Sequence, residues 1–341
     1  MKIGSRKKAA SQKDIAQLLG VDQKTVSRVF AESASVSEDT RTRVMDAANK
    51  LGYRPNLGAR AMRTGKFNTI VLLQAMSHMQ SNLHTPLLQG IQDGLGEKYL
   101  TLARIPDEKL QRGETLPTIM RELSSDGVLV NYDTNIPEKM IEQIEAQPLP
   151  VVWINSKQPH DCAHPDDEQG GKLATEHLLK LGHKKIGYTD YHLKHSNFIH
   201  YSRTDRFKGY QKAMKAAGLE TVELMPLSPV TAPEMAEFAT REIRRVTPTA
   251  LVAYDPGEAA AFMWGARALN LITPRDLSVV SFGLHVPNIG LPLTIALNPM
   301  REVGRAAAEL VLRKIEKPRV KLAPTALGFS IEEGASCRSL H

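Results

Sequence analysis

"SQKDIAQLLGVDQKTVSRVF", residues 11–30, sets two short helical patterns on either side of a glycine, and its reading decides what the first fifth of the chain is. Ser11 can cap a helix from about Gln12 to Leu19, Gly20 breaks it, and Asp22 can cap a second helix through Phe30. On that second helix Val26, Val29 and Phe30 share one side of a 3.6-residue repeat, leaving Gln23, Lys24, Ser27 and Arg28 for another. Ile15, Ala16, Leu19, Gly20, Val21, Val26 and Val29 together fill the helix-turn-helix pattern. Ala16 lets the second helix approach, Gly20 makes the turn and Val26 closes the small core. An ordinary helical hairpin with a solvated basic face shares the periodicity but not this full set.

Ser37 precedes "EDTRTRVMDAANKLGY", where Val44, Ala47, Ala48 and Leu51 form a stripe that ends at Gly52, a third helix. "RPNLGARAMRTGKFN", residues 54–68, reads as a linker able to become helical between Asn56 and Thr64. Beyond it the grammar changes. "TIVLLQ", "DGVLVNY", "PVVWIN", "KKIGYTD", "TALVAYD" and "LSVVSFG" are short apolar runs rich in Val and Ile, each reading as a buried strand. Helical patterns such as "TPLLQGIQDGLGEKY", "EKMIEQIEA" and "APEMAEFATREIRRV" alternate with them. The fold class expected is multi-domain: an all-α headpiece followed by an α/β core of two doubly wound parallel-sheet lobes. Ligands then belong in the crevice at the carboxyl ends of the strands.

The charge is unevenly spread. Residues 1–66 carry 14 Lys/Arg against 6 Asp/Glu, whereas the remaining 275 residues carry 30 against 31. A basic N-terminal fifth attached to a neutral remainder favours a polyanionic partner for the headpiece. No run resembles a signal peptide or a membrane span, so a cytoplasmic protein without a membrane partner is expected. Cys162 and Cys337 stand alone and supply neither a metal nor a redox motif, so no metal site and no cofactor are expected.

If the second helix enters a major groove, Gln23, Lys24, Thr25, Ser27 and Arg28 reach base edges and flanking phosphates. Arg28 can fork onto guanine, Gln23 can pair with an adenine edge, and Lys24 can serve guanine or phosphate. Ser11, Ser37, Thr40, Tyr53 and Asn56 are neutral donors suited to phosphates, with helix capping an equal claim on Ser11 and Ser37.

These residues carry a family resemblance. "DIAQLLGV", "TVSRVF", "VSEDTRTRV" and "LGYRPN" stand in the order and spacing of the headpiece of LacI/GalR-type bacterial repressors, which this segment resembles almost residue for residue. The likeness continues through "GGKLATEHLLKLGHKKIGY", "DRFKGYQKAM", "ITPRDLSVVSF" and "LTIALNPMREVGRAAAELV", and so covers essentially the whole chain. It implies a transcriptional regulator, as a rule a repressor: a homodimer whose headpieces bind a pseudopalindromic double-stranded DNA operator, with linker helices wedging the minor groove. The wedge is typically Leu in that family. The matching position here is Met62, with Ala59 facing its partner.

The resemblance further implies a periplasmic-binding-protein-like core holding a small effector, a sugar, sugar acid or sugar phosphate, between two lobes. The domains it implies are a basic tail 1–10, a headpiece 11–55, a hinge 56–66 and a core 67–341. Within the core, the first lobe takes about 67–165 plus 298–327 and the second about 166–297 plus 328–336. The matching effector positions are His84 in "LHTP", Asn155, Arg206 in "DRFKGY", and Tyr254 with Asp255 after "LVA"; Arg203 and His285 lie nearby. One departure stands out. Family sugar binders read "GFDD" or similar after the strand "SVV", and the first Asp bonds ligand hydroxyls. This chain reads "SFGLH", with Gly283 in that place. Two arginines and no acid at 283 favour an anionic effector. The C-terminal "IEEGASCRSLH" carries no leucine heptads, so a dimer is expected, not a tetramer.

An enzyme with a DNA-binding appendage finds little support. "GARAMRTGKF" has the wrong spacing for a P-loop, and Phe67 replaces the Ser/Thr that would hold magnesium. No G-x-S-x-G turn is present, and His160 and His164, flanked by Pro159 and Pro165, read as loop residues. Control of the same regulator by a protein partner, or by no ligand, is the other alternative.

Overall fold

The computed structural model describes residues 10–31, 35–55, 58, 61, 64–75, 81–105, 125–196, 199–285 and 292–341. The chain divides into two compact units, Met1–Phe67 and Asn68–His341.

The first unit holds α1 (Gln12–Leu19), α2 (Gln23–Phe30) and α3 (Glu38–Leu51). Each starts at an oxygen that meets an orphan backbone donor. Ser11 forms a reciprocal capping box with Asp14, Asp22 accepts from the Lys24 amide at 2.6 Å, and Ser37 accepts from the Thr40 amide at 3.4 Å. Gly20 and Gly52 end α1 and α3 in the left-handed region, at φ 67° and 64°. Ile15, Ala16, Val26, Val29, Val44, Ala47 and Ala48 form the core, and Phe30 and Tyr53 close it with rings 5.1 Å apart. Of the linker, Gly58, Ala61 and Thr64 are helical.

The second unit contains two six-stranded sheets. The first is built from β1 (Thr69–Ala75), β2 (Tyr99–Ile105), β3 (Gly127–Asn131), β4 (Val151–Ile154), β5 (Cys162–Pro165) and β11 (Thr325–Leu327), in the order β11-β5-β4-β3-β1-β2, all parallel. The second holds β6 (Ile186–Thr189), β7 (Val222–Glu223), β8 (Ala250–Ala253), β9 (Ser278–Gly283), β10 (Thr294–Leu297) and β12 (Ser330–Glu332), in the order β12-β10-β9-β8-β6-β7, parallel except for β12. Because successive strand residues point to opposite faces, Ile70 and Leu72 join one core with α4 (Thr85–Leu95) and α10 (Met300–Glu316). Val71 and Leu73 join another with α5 (Glu138–Glu145). The second sheet is covered in the same way: Leu251 and Ala253 pack with α8 (Ala232–Val246) and α9 (Pro256–Ala268), Val252 with α6 (Asp167–Lys180) and α7 (Tyr201–Ala216). The doubly wound class expected from the alternating pattern is therefore present in both lobes, with parallel strands buried on both faces.

One helix contact matters for function. A Cβ on Gly171 of α6 would sit 2.0 Å from the Arg206 carbonyl oxygen, and one on Gly209 of α7 would sit 2.1 Å from that of Glu168. Only glycines allow the two backbones this close. The approach brings Asp167 and Arg206 within hydrogen-bond reach.

Candidate functional site

In the first unit the caps of α2 and the burial of Val26 and Val29 fix which way that helix faces. Gln23, Lys24 and Arg28 are exposed, while Thr25 and Ser27 are half-buried. The side chains of Lys24 and Arg28 make no ion pair or hydrogen bond with any described residue, so their charges face solvent on one edge of a rigid helix. Ser11 and Ser37 are occupied locally: the Ser11 hydroxyl donates to Asp14 at 2.7 Å, and the Ser37 and Thr40 hydroxyls lie 2.9 Å apart. Tyr53 packs on Phe30. Asn56, Ala59 and Met62, the hinge candidates, lie outside the described residues.

In the second unit a cavity of about 490 Å³ opens at the carboxyl ends of the strands of both sheets. His84, Asn155, Arg203, Arg206, Tyr254, Asp255 and His285 all line it. Each comes from a turn following a strand or from the first turns of a helix. Tyr254 and Asp255 follow β8, His285 follows β9, and Arg203 and Arg206 stand in α7. Asp255 caps α9, accepting from the Glu258 amide at 2.9 Å. Burial lowers the pKa of His84, leaving a neutral imidazole at the start of α4. His285 is exposed at the rim.

Neither arginine is free. Arg206 Nε donates to Asp167 Oδ1 at 2.7 Å, and its guanidinium lies 4.4 Å from the Phe282 ring and 4.8 Å from the Tyr254 ring. Arg203 pairs with Asp190, and its guanidinium lies 4.0 Å over the face of Tyr254. Asp190 and Asp167 are sealed, at 0% and 1% exposure. Burial raises the pKa of Asp167 while Arg206 lowers it, so the arginine is what holds the charge in place. Behind them Glu258 accepts from the Tyr191 amide at 2.9 Å, and burial followed by repulsion from Asp255 and Asp190 holds its carboxyl well above the usual range.

The lobes are joined across the cavity by a chain of neutral hydrogen bonds. His200 Nε2 donates to the Asn155 carbonyl at 3.0 Å, while its Nδ1 lies 2.7 Å from the Ser202 hydroxyl, itself 2.8 Å from the Tyr254 hydroxyl. Burial lowers the His200 pKa, which suits the uncharged tautomer this chain needs. Asn155 sits at φ 52° and spends its amide on both lobes, donating to Asp133 at 3.0 Å and accepting from the Tyr201 hydroxyl at 3.3 Å.

Two sequence expectations change here. An anionic effector follows from two arginines facing a cavity with no acid at 283. Both arginines are paired with buried carboxylates, and Asp133, Asp167 and Asp255 line the wall, which weighs against an anion. His164 lies within β5, buried, with Nδ1 2.7 Å from the Pro165 carbonyl, so only His160 is a loop residue. The cavity also gathers Asp133, Asp167, His200 and Ser202, for which no role follows from the motifs. Among the described residues no group of His, Cys, Asp and Glu is arranged to hold a metal ion, and no helix is long and apolar enough to cross a membrane.

Comparison with known proteins agrees with this architecture. Residues 11–56 match the lacI family of bacterial regulatory proteins, and residues 175–337 match the periplasmic binding protein-like domain. The HTH-type transcriptional regulator DegA of Bacillus subtilis (strain 168) is 28% identical over 308 residues, covering 85% of this chain and 87% of the relative. The HTH-type transcriptional repressor PurR of Vibrio vulnificus (strain CMCP6) is 28% identical over 321 residues, covering 90% and 92%. Among solved structures, the lac repressor dimer bound to operator and the anti-inducer ONPF superposes with a TM-score of 0.76 at 20% identity, over 97% of this chain and 100% of that one. A complex of the transcriptional regulator CelR with cellobiose gives 0.62 at 21%, over 96% and 99%. The chain thus joins a lacI-family DNA-binding headpiece to a periplasmic-binding-protein-like, ligand-binding core, and the relatives it matches are transcriptional regulators, not enzymes.

Proposed function

We propose, from the lacI-family headpiece and the periplasmic-binding-protein-like core, that the protein is a homodimeric repressor of a pseudopalindromic operator, and that an uncharged sugar-like effector in the cavity between the lobes controls it. Gln23, Lys24, Thr25, Ser27 and Arg28 read the major groove, Tyr53, Asn56 and Thr40 serve phosphates, and Ala59 and Met62 sit at the minor groove. Ser11 and Ser37 act on the DNA mainly by orienting their helices. His84, Asn155, Arg203, Arg206, Tyr254, Asp255 and His285 bind the effector, whose grip on both walls shifts the pose of the lobes.

The contrast between the two sets of cations carries the reading. Lys24 and Arg28 are exposed and unpaired among the described residues, as groups meant for an outside polyanion must be. Arg203 and Arg206 are internally neutralised and present planar donors beside aromatic faces, which suits hydroxyls more than a charge. Genome-wide mapping of binding sites, followed by footprinting, tests the DNA half: a protected site with two-fold symmetry and two chains per site is expected, and a single asymmetric half-site would refute the dimer. Titrating the protein on that operator with neutral sugars, uronates and sugar phosphates tests the effector half. A response to the anionic sugars alone would reverse the ligand class.

A further inference from the structure

The carboxylates around the cavity are not equivalent. Asp190 and Asp167 are sealed behind the arginines they hold, and Asp255 is engaged in capping α9. Asp133, on the turn after β3, differs on two counts. It keeps surface open to the cavity, and among the described residues no cation pairs with it. Its partners are neutral donors: Thr134 Oγ1 reaches Oδ1 at 3.1 Å and Asn155 Nδ2 reaches Oδ2 at 3.0 Å. A carboxylate offers about four acceptor sites, more than the Thr134 and Asn155 side chains and the backbone amide of Asp133 fill. Burial raises the pKa of this group, and the two donors together with His200 oppose that shift. Directly bound donors would complete the opposition. On the other lobe, Gly283 leaves the turn after β9 without an acceptor side chain, and a Cβ there would already stand 3.3 Å from the His285 carbonyl oxygen.

We propose that Asp133 selects the ligand: it accepts a hydrogen bond from a hydroxyl of an uncharged polyol, supplying from the first lobe the acid that the second lobe lacks at Gly283. This rests on the cavity being the effector site. A uronate or phosphate at the same place would set its charge against Asp133 and is rejected. Because Asp133 holds Asn155, and Asn155 accepts from His200 and Tyr201 of α7 and its cap, the group that reads the hydroxyl is also fastened to the opposite lobe. A ligand bound to Asp133 therefore acts on the contact that sets the lobes' relative pose.

The test is calorimetry on the full chain with a panel of aldoses and alditols, each beside its uronate and its phosphate ester. The tightest ligand should be an uncharged polyol, about tenfold or more tighter than its uronate. Asp133→Asn keeps size and shape but offers donors in place of a second acceptor. It should weaken that ligand about tenfold and narrow its preference over the uronate, while Asp133→Glu keeps the preference at altered affinity. A merely structural role would not move the neutral-to-anionic ratio. An unchanged ratio in Asp133→Asn, while Tyr254→Ala on the opposite wall abolishes binding, overturns the role of Asp133 and leaves the cavity as the ligand site. Binding indifferent to both variants removes the cavity reading and this proposal with it.

Discussion

Arg28 and Arg206 are the same residue in opposite circumstances. Arg28 stands exposed on a helix eight residues long, in a unit held by a few small apolar side chains, with its charge turned outward. Arg206 is 7% exposed, paired with Asp167, and wedged between aromatic rings at a point where two helices touch through glycine. The lesson lies in where each charge is balanced. A cation balanced inside the fold stabilises the fold and lends a ligand only its geometry. One balanced by nothing in its own unit is available to a partner. Removing the first should damage the protein, and removing the second should damage only what the protein recognises.

The comparison is broken most easily at Arg206. Arg206→Ala strands Asp167 in a sealed site and should cost the core about 3–5 kcal/mol, read as a large fall in melting temperature. The pH dependence follows in sign. Burial holds the Asp167 pKa above its unfolded value, so without Arg206 the folded form keeps the proton that the unfolded chain releases. Stability then falls as pH rises through the unfolded carboxylate range, and the gap between wild type and variant should be wider at pH 7 than at pH 5. An equal gap at both would mean that Asp167 is not the stranded group.

In the headpiece, the corresponding damage is done by a core residue. Ile15 is fully buried, and Ile15→Ala should cost about 2–4 kcal/mol, enough to unfold a unit this small and abolish DNA binding while the core melts unchanged. Ser37→Ala, which removes the cap of α3, should cost about 1 kcal/mol by the same measurement. A loss of operator affinity far beyond that would return Ser37 to the phosphate-contacting set. The smallest effect is the response of the core to mild acid. Burial lowers the pKa of His84, His177, His183, His192 and His200, so the neutral form is favoured in the fold. The stability they contribute is complete above the unfolded value of about 6.5 and is lost as pH falls through the folded values. His183, which bridges Thr249 and the Arg338 carbonyl, is the position to change: His183→Gln should flatten the acid limb of a melting curve.

The two regions also differ in how much of them could be read from the chain. The helices of the headpiece end where Ser11, Gly20, Asp22, Ser37 and Gly52 say they should, because caps and turns are local chemistry. The buried strands of the core were equally legible as apolar runs. The strands that escape are short or have weak local signals: β7 is two residues and β10, though buried, only four. β2 is an edge strand with Tyr99 and Leu102 more than half exposed, β5 is four residues including Pro165, and β11 and β12 are three residues each. At the cavity, polar residues following recognisable strands were visible for the same reason the strands were. The pairs that decide its electrostatics were not, since Arg206 meets Asp167 across 39 positions and Arg203 meets Asp190 across 13. Asp133 follows "GVLVN" as plainly as Asn155 follows "VVWI", yet an acid looked for at position 283 alone hides the carboxylate that the turn after β3 sets in the cavity wall.

The claim that matters most is that Arg28 is spent on recognition, and one measurement addresses it directly. Wild type and Arg28→Ala are titrated on the mapped operator and on random DNA at two salt concentrations, with melting temperature recorded for both proteins. Unchanged melting, a loss of about 1–3 kcal/mol on the operator, relaxed preference at one base pair and a far smaller loss on random DNA is the predicted result. An equal loss on operator and random DNA would make Arg28 a phosphate contact and remove it from the reading edge.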